Sequence, residues 1–412
     1  MSMRVLVVTQ YFWPEGFRIN DVVKTLVERG IHVDVLTGKP NYPEGKIFSG
    51  YRPCGTVTES WFGATIFRVP LAPRGNGALN LVANYLSFIF SGLIFGPILL
   101  RGRKYDVVFV YGLSPILLTI PAIFIAWLRR KRLVIWIQDL WPESLSATGY
   151  VTSEFILRSV EIVVRWIYRH ADLLLVQSRA FESSVAALAP GKPIIYYPNS
   201  VDASFSQNLS EGLDQPLILE LEGGFPIIFA GNIGAAQAVE CIVDAATLLR
   251  AESDIRFVVF GQGSRWEWMR REIEKRGLTN IYLAGRFPVQ DMPGYMRKAA
   301  VLLVSLIDKP IFSLTVPNKI QAYMASGRPI LASLNGEGAR LIHEANAGIA
   351  VPAEDHKALA EAILKLHSMS KEERHQLGLN GRKYYEENFD HDKLIDQLIG
   401  YLQMQRSGSD IN

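Results

Sequence analysis

The sequence predicts an α/β protein built from two doubly wound, Rossmann-like domains. Short apolar runs alternate with amphipathic helical patterns, as in parallel sheets whose strands are joined by crossover helices. These runs are rich in Val, Ile and Leu, which is typical of strands buried on both faces. The alternation stops in the polar segment 202–224 and then begins again. The 412 residues are also enough for two domains of ordinary size.

The first half supplies one complete alternating series. Helix 18–29 is amphipathic and is followed by Gly30, a residue that commonly ends helices. The longer helix 154–170 shows the same period of apolar positions. The predicted strands are 5–9, 32–37, 66–70, 107–111, 133–138, 173–177 and 194–197, and the remaining helices are 121–130 and 180–188.

The second half repeats this pattern and sets the expected domain bounds. Its predicted strands are 226–230, 256–260, 281–284, 300–305 and 330–333, and its helices are 238–251, 266–276, 319–325, 356–368, 372–389 and 391–405. We expect one domain over 1–203, completed by a C-terminal helix in 391–412, and a second domain over 204–390. Two such sheets would face each other across a cleft, because α/β sheets bind ligands at the carboxyl ends of their strands.

Composition excludes several classes of protein. Lys and Arg number 43 against 40 Asp and Glu, so the net charge of +3 gives no reason to expect a nucleic-acid partner. The two cysteines, Cys54 and Cys241, are far apart and form no metal-ligand spacing, which fits a reducing cytoplasm. The first apolar run is short and lacks a cleavage site, so we expect no signal peptide. No motif indicates a metal.

One segment, 75–100, contains no charged residue and its apolar part is long enough to span a bilayer. A polar stripe recurs along it at helical spacing, and basic residues follow it. Three interpretations remain open: a pair of helices in the membrane interface, helices buried in the domain, or a true span. The stripe consists of Asn80, Asn84, Ser87 and Ser91, Pro97 interrupts the run, and Arg101, Arg103 and Lys104 come next.

Two glycine loops in the second half indicate a phosphate site. Gly231, Asn232 and Gly234 follow the first strand of that half, and Gly261 follows the next strand. Glycines at strand-to-helix turns expose backbone N–H groups that can bind a phosphate. Each loop alone could be an ordinary tight turn, but two on neighbouring strands favour a nucleotide.

Two further segments of the second half complete the expected nucleotide site. Arg286 and Phe287 follow the third strand, where a flat base could meet a ring or a guanidinium plane. Lys319 lies in the first turn of a helix, where a cation opposes the helix dipole unless an anion is also bound there. A solvated surface lysine is the alternative. The preceding residues Ser313, Leu314 and Thr315 form a predicted polar turn beside this anion site.

The first half offers candidate catalytic and acceptor-binding residues. Gly16 and Phe17 belong to an aromatic loop after the first strand, and the glycine would allow close approach of a ligand. Asp139 ends a buried strand and is the candidate general base, with Glu143 in reserve. Either carboxylate could instead cap a helix near residue 142. The polar loop 39–45 is a candidate acceptor-facing segment.

These motifs together resemble family four of the GT-B-fold glycosyltransferases, over essentially the whole chain. The resemblance runs through QS at 177–178, YPNSVD at 197–202, GNIG at 231–234, GQG at 261–263 and AYMASGRPI at 322–330. Within the family, the chain resembles the WbuB-type branch in PNYP at 40–43, QDLWPES at 138–144 and VPNK at 316–319. That branch is assigned to transfer of N-acetylated 6-deoxy amino sugars such as L-fucosamine in O-antigen or capsule assembly.

The resemblance implies that the first domain binds the acceptor and the second domain binds the nucleotide sugar. It also implies a UDP-sugar donor, a polyprenyl-diphosphate-linked acceptor, and peripheral association with the cytoplasmic face of the inner membrane, without a metal or other cofactor. The chain departs from the family at two places. Ser313 and Gln321 stand where the family usually has two donor-contacting glutamates. Gln138 precedes Asp139 where the family usually has a histidine before the aspartate. Retention or inversion at the anomeric carbon therefore stays open. An inactive nucleotide-sugar-binding subunit and a UDP-sugar epimerase of the same fold are the alternatives.

Overall fold

The computed structural model describes residues 2–75, 77–147, 153–201, 217, 221 and 223–404. The chain divides into two compact units, one comprising Met1–Pro198 with Asp392–Asn412 and the other Asn199–His391. The sequence places this boundary after residue 203. The predicted linker 202–224 lies almost entirely outside the described residues. Two α/β units with doubly wound sheets confirm the predicted fold class.

The first unit contains an eight-stranded sheet in the order β3-β4-β2-β1-β5-β6-β7-β8. All neighbouring strands are parallel except β3 and β4, which form an antiparallel hairpin. The strands are β1 (Arg4–Val8), β2 (His32–Thr37), β3 (Val57–Trp61), β4 (Ala64–Arg68), β5 (Val107–Gly112), β6 (Arg132–Ile137), β7 (Leu173–Val176) and β8 (Ile194–Tyr196). The helices are α1 (Arg18–Glu28), α2 (Ala78–Leu99), α3 (Thr119–Arg129), α4 (Glu143–Ala147), α5 (Glu154–His170) and α6 (Phe181–Leu188).

The second unit contains a six-stranded parallel sheet in the order β11-β10-β9-β12-β13-β14. Its strands are β9 (Phe225–Ala230), β10 (Ile255–Phe260), β11 (Ile281–Gly285), β12 (Val301–Ser305), β13 (Ile330–Ser333) and β14 (Gly348–Val351). Its helices are α7 (Val239–Leu248), α8 (Trp266–Arg276), α9 (Met292–Lys298), α10 (Pro310–Leu314), α11 (Asn318–Ser326), α12 (Glu337–Glu344), α13 (His356–Ser368) and α14 (Lys371–Asn388).

The last described helix, α15 (His391–Gln403), packs on the first unit. Its apolar side joins the core formed by β1, α1 and their neighbours through Leu394, Ile395 and Leu398. The Tyr197 hydroxyl, at the end of β8, donates a hydrogen bond to the Leu394 carbonyl at 3.0 Å. The sequence assigns helix to 391–405 and a completing segment to 391–412; residues 405–412 lie outside the described part of the chain.

Helix α2 corrects the interpretation of the uncharged segment as a pair of helices. It is one helix that continues through Pro97. Its inner face carries Asn84, Phe88, Ile89, Gly92 and Gly96, so part of the polar stripe faces the protein and not the solvent. A Cβ atom on Gly92 would lie 2.8 Å from Pro121 of α3, which explains why small residues are needed on this face.

The outer face of α2 is consequently apolar. By length and composition this helix could cross a membrane. Only 28% of its most apolar window is buried in the protein, so most of that window is available to another apolar environment. Six large apolar side chains on it are between 43% and 88% exposed: Leu79, Val82, Leu86, Phe90, Ile94 and Ile98. A helix with the Asn84 amide inside and a row of large apolar groups outside is the reverse of the usual arrangement in water.

Candidate active site

The glycine loops after β9 and β10 lie side by side at the carboxyl edge of the second sheet. The backbone N–H of Gly231 donates to the carbonyl of Phe260 at 3.0 Å, and that of Gly261 donates to the carbonyl of Gly285 at 2.7 Å. The strands before these loops are neighbours in the sheet. The structure therefore places the two loops next to each other, as parallel strand order requires.

Only glycine fits at the contact between these loops. A Cβ atom on Gly261 would lie 1.8 Å from the carbonyl oxygen of Gly231, and its φ of +128° is unfavourable for other residues. Gly231 has a φ of +136°, and a Cβ there would lie 2.6 Å from Cε of Lys319. The first loop is thus held directly against the lysine side chain.

The rest of the first loop turns tightly into a short 3-10 helix at Ala235–Gln237. The backbone N–H of Ile233 donates to the Gln262 carbonyl at 3.0 Å, and that of Gly234 donates to Oε1 of Gln237 at 3.1 Å. A Cβ atom on Gly234 would lie 2.7 Å from Nδ2 of Asn232. Gly231, Asn232 and Gly234 therefore form one compact loop at the edge of the sheet.

Lys319 is the most unusual charged residue at this edge. Among the described residues, its Nζ atom is buried and has no hydrogen-bond partner, and it lies 3.6 Å from the centre of the Phe229 ring. Burial lowers its pKa from 10.5 to about 7, because a low-polarity environment disfavours the charged amine. A buried, unpaired lysine of this kind is well suited to bind an incoming anion.

Helix α11 is fixed to the sheet, so Lys319 has a defined position. The Tyr323 hydroxyl accepts a hydrogen bond from the Ala230 N–H at 3.1 Å and donates to the Leu303 carbonyl at 3.2 Å. Gln321, at the position where the family usually has a glutamate, is only 1% exposed. In the amide orientation that gives both side-chain atoms of Gln321 suitable partners, its nitrogen donates to the carbonyls of Pro317 and Asn318, 3.0 and 3.3 Å away.

The residues before α11 form a short helix, α10, in place of the predicted simple turn. Ser313 and Leu314 end this helix, and the Thr315 hydroxyl donates to the Ile311 carbonyl at 2.8 Å. A Cβ atom on Gly336 would lie 2.0 Å from the Ser313 carbonyl oxygen, so the loop after β13 packs closely against it.

Arg286 and Phe287 follow β11, next to the glycine loops. The Phe287 ring makes edge contacts with Phe260 and Tyr295, with ring centres 5.5 and 5.3 Å apart. Phe287 is partly exposed and Arg286 is exposed. A flat, partly exposed ring at this end of the sheet agrees with the position predicted for a nucleotide base.

In the first unit, Asp139 lies just after β6 and is half-buried. Burial raises the pKa of its carboxyl group to about 6, although a hydrogen bond from the Ser114 backbone lowers the pKa somewhat. Glu143 begins α4, and its Oε2 atom is buried without a hydrogen-bond partner among the described residues. Asp139 therefore has the pKa of a usable general base near neutral pH.

The aromatic loop after β1 surrounds a carboxylate that the sequence analysis missed. Glu15 is 2% exposed and accepts backbone hydrogen bonds from Phe12, Asn41 and Tyr42, at 3.2, 2.8 and 2.7 Å. Burial raises its pKa to about 7, although these hydrogen bonds by themselves would lower the pKa. Glu15 thus joins the loop after β1 to the loop after β2. Its position beside Gly16 in a loop gave no signal of burial.

Gly16 and Phe17, the predicted binding residues of this loop, differ in their surroundings. No atom lies within 4 Å of a Cβ built on Gly16, so the space above it is open. The Phe17 ring stacks on Tyr11, with ring centres 5.2 Å apart. Within the described residues no three His, Cys, Asp or Glu side chains are grouped to hold a metal ion.

Two protein-family models match the chain. Residues 16–200 match the model described as "Glycosyl transferase 4-like domain", and residues 224–369 match "Glycosyl transferases group 1". WcaI of Escherichia coli K12, assigned to colanic acid biosynthesis, is 26% identical over 97% of this chain and 100% of its own. The glycosyltransferase WbjE of Pseudomonas aeruginosa is 27% identical over 71% of this chain and 73% of its own.

Solved structures show the same architecture. An α,α-trehalose-phosphate synthase (UDP-forming) from Burkholderia vietnamiensis superposes with a TM-score of 0.75 and 14% identity, over 99% of this chain and 98% of its own. HepE from Anabaena, in complex with UDP and glucose, superposes with a TM-score of 0.69 and 15% identity, over 97% and 99%. At this identity the likeness shows the fold, which is the GT-B fold that the sequence resemblance implies.

Proposed function

The chain belongs to the group 1 glycosyltransferases, and we propose that it transfers a sugar from a UDP-sugar to a lipid-diphosphate-linked saccharide in bacterial surface polysaccharide assembly. Two resemblances support this role: WcaI is assigned to colanic acid biosynthesis, and the sequence motifs resemble the WbuB-type branch. That branch favours an N-acetylated 6-deoxy amino sugar, such as L-FucNAc, as the transferred group.

The buried, unpaired Nζ of Lys319 is the observation that carries the donor assignment. A diphosphate between Lys319 and the Gly231–Gly234 loop would give this amine the anionic partner that it lacks among the described residues. Backbone N–H groups at the start of α11 would bind the same anion. HepE was solved with UDP, and the trehalose-phosphate synthase is named as UDP-forming, which favours UDP as the nucleotide.

Lys319 and these backbone donors can also stabilise the leaving group. The departing nucleotide diphosphate gains negative charge in the transition state, and a fixed cation in a dry site stabilises that charge strongly. We therefore propose a metal-independent reaction without a further cofactor. The base would stack near Phe287 and Arg286, with Ser313, Leu314 and Thr315 next to the donor.

Asp139 is the proposed general base if the reaction inverts the anomeric centre. In that case a base must remove the proton from the acceptor hydroxyl as this hydroxyl attacks the anomeric carbon. The raised pKa of Asp139, about 6, leaves it ionised yet basic near neutral pH. Glu143 is the reserve candidate. If the configuration is retained, Asp139 would orient the donor sugar instead.

The exposed apolar face of α2 supports the proposed peripheral attachment to the cytoplasmic face of the inner membrane. Helix α2 packs on α3, and α3 packs on α5. Trp127 of α3 is 72% exposed, and Phe155 of α5 is 81% exposed. The basic residues Arg101 and Lys104 follow α2, where they can meet anionic headgroups.

A turnover assay tests the proposal directly. The full-length protein is incubated with a panel of UDP-sugars, UDP-L-FucNAc included, together with lipid-linked saccharides extracted from membranes. We expect release of UDP and a new glycoside on the lipid fraction for one donor. Binding of UDP without turnover of any donor would favour the inactive subunit, and interconversion of UDP-sugars without transfer would favour an epimerase.

A further inference from the structure

Three aromatic rings form a cluster at the carboxyl edge of the first sheet. Tyr11 and Phe17 come from the loop after β1, and Tyr42 comes from the loop after β2. The ring centre of Tyr42 lies 5.7 Å from that of Tyr11 and 5.2 Å from that of Phe17. Tyr42 remains 38% exposed, so the cluster presents an aromatic surface to solvent.

Arg74 brings a positive charge to this aromatic surface. Its guanidinium carbon lies 5.5 Å from the centre of the Tyr42 ring, and its positive charge lies near the Tyr11 hydroxyl, where it partly offsets the increase in the Tyr11 pKa that burial causes. Among the described residues Arg74 forms no salt bridge. An arginine beside an aromatic surface is a suitable group to bind phosphate oxygens.

The inward polar stripe of α2 fixes the segment that carries Arg74. Nδ2 of Asn84 donates to the Ala72 carbonyl at 2.6 Å, and the Ala72 N–H donates to the Ser87 hydroxyl at 3.0 Å. The Arg74 N–H donates to Oδ1 of Asn41 at 3.0 Å. Arg74 is therefore held in a defined place, just before the start of the membrane-facing helix.

Three chemistries follow one another along this edge. The aromatic surface lies beside the cation of Arg74, and five residues further along the chain the apolar row of α2 begins at Leu79, which is 88% exposed. A lipid-linked saccharide has the same order, since its sugar, diphosphate and polyprenyl chain are joined in sequence. The polar site and the apolar row therefore match one amphiphilic molecule.

We infer that Arg74, with Tyr42 beside it, binds the diphosphate of the lipid-linked acceptor, whose hydrocarbon chain runs along the outer face of α2. The inference rests on the proposed function, because it assigns the acceptor of the same reaction. It gives a specific reason for Asn84 and Ser87 on the inner face of α2: they hold the phosphate-binding segment on the helix that meets the lipid.

Binding of farnesyl diphosphate, measured by calorimetry with the full-length protein in saturating UDP, tests this site. UDP occupies the donor site, so the added diphosphate cannot bind there. We expect wild-type protein to bind farnesyl diphosphate more tightly than farnesol, which lacks the diphosphate, or inorganic diphosphate, which lacks the hydrocarbon chain. R74Q should weaken binding of farnesyl diphosphate at least tenfold, and R74K should restore part of it.

R250Q is the matched control, since it removes the same charge at an exposed position of the second unit and should leave this binding unchanged. Equal affinity of R74Q and wild type, or an equal loss in R250Q, would overturn the inference. So would equal binding of inorganic diphosphate, which would indicate a free-phosphate site. UDP affinity is measured in parallel: if UDP binds normally while farnesyl diphosphate does not, the acceptor site is wrong and the donor assignment stands. Thermal unfolding of R74Q checks that the variant is folded.

Discussion

The Nζ atom of Lys319 lies 3.6 Å from the centre of the Phe229 ring, and among the described residues it has no hydrogen-bond partner. The aromatic face offers a weak electrostatic attraction but does not replace the hydration that the amine has lost. A pKa of about 7 is the consequence. Lysine retained in this environment is best explained by an anion that binds there during function.

This relationship predicts that UDP binding takes up a proton. At pH 8 the Lys319 amine is mostly neutral in the free protein, and the diphosphate favours its charged form, so about one proton should be bound per UDP. The measurement is the binding enthalpy in two buffers of different ionisation enthalpy. K319M should abolish the uptake and weaken UDP at least about tenfold, while uridine affinity changes little.

K365M, on the exposed side of α13, is the control and should bind UDP as wild type does. The free protein supplies a second check. Because the folded pKa of Lys319 lies below its unfolded value of 10.5, its contribution to the free energy of unfolding should rise with pH between about 7 and 10.5. K319M should lack that slope. Equal losses of UDP and uridine affinity would instead argue against a phosphate contact.

Gly231→Ala should impair donor binding through the same lysine. The new methyl group would lie 2.6 Å from Cε of Lys319, and a φ of +136° is strained for alanine. We expect weaker binding of UDP with a smaller effect on uridine, measured by titration. Gly400→Ala in α15 adds the same methyl group where no atom lies within 4 Å, and it should bind UDP normally. Normal UDP affinity in Gly231→Ala would show that the loop does not contact the diphosphate.

Much of the fold was predictable, because a strand that is buried on both faces corresponds to an uninterrupted run of apolar residues in the sequence. The bounds of β2 and α5 match the prediction, and β1 differs by one residue. The strands that were missed have weaker signals. Strand β3, with Thr58 and Ser60 among its residues, lies at the sheet edge and is paired on one side only, and β14 is four residues long and contains Gly348.

The candidate site was predictable where a residue type is unusual for its local position. Lys319 stood out because a cation in the first turn of a helix is unfavourable, and the structure shows its buried amine. Glu15 and Arg74 did not stand out, because burial and ring contacts depend on loops that meet only in the folded unit. The direction of the α2 polar stripe was likewise unknown until the packing of Gly92 on Pro121 was visible.

Asp139→Asn tests the chemistry. The substitution keeps the shape of the side chain and removes its basicity, so turnover should fall by about 10²–10⁴ while UDP-sugar affinity stays nearly intact. In wild type, the turnover rate should increase with pH around the pKa of Asp139, about 6, because the carboxylate must be ionised to accept a proton. Near-normal turnover in folded Asp139→Asn would exclude it as the base, and the same loss in Glu143→Gln alone would give that role to Glu143.

The apolar face of α2 should bind anionic membranes. Phe90 and Ile94 are 60% and 59% exposed, and inserting such side chains into the lipid boundary removes apolar surface from water. We expect wild type to sediment with phosphatidylglycerol vesicles at low salt, and Phe90→Gln with Ile94→Gln to reduce the bound fraction strongly. Leu364→Gln with Leu379→Gln, at exposed positions of the second unit, is the control for lost surface hydrophobicity and should bind as wild type does. Failure of wild type to sediment would refute the interfacial attachment, and resistance to extraction by alkaline carbonate would replace it with a true span.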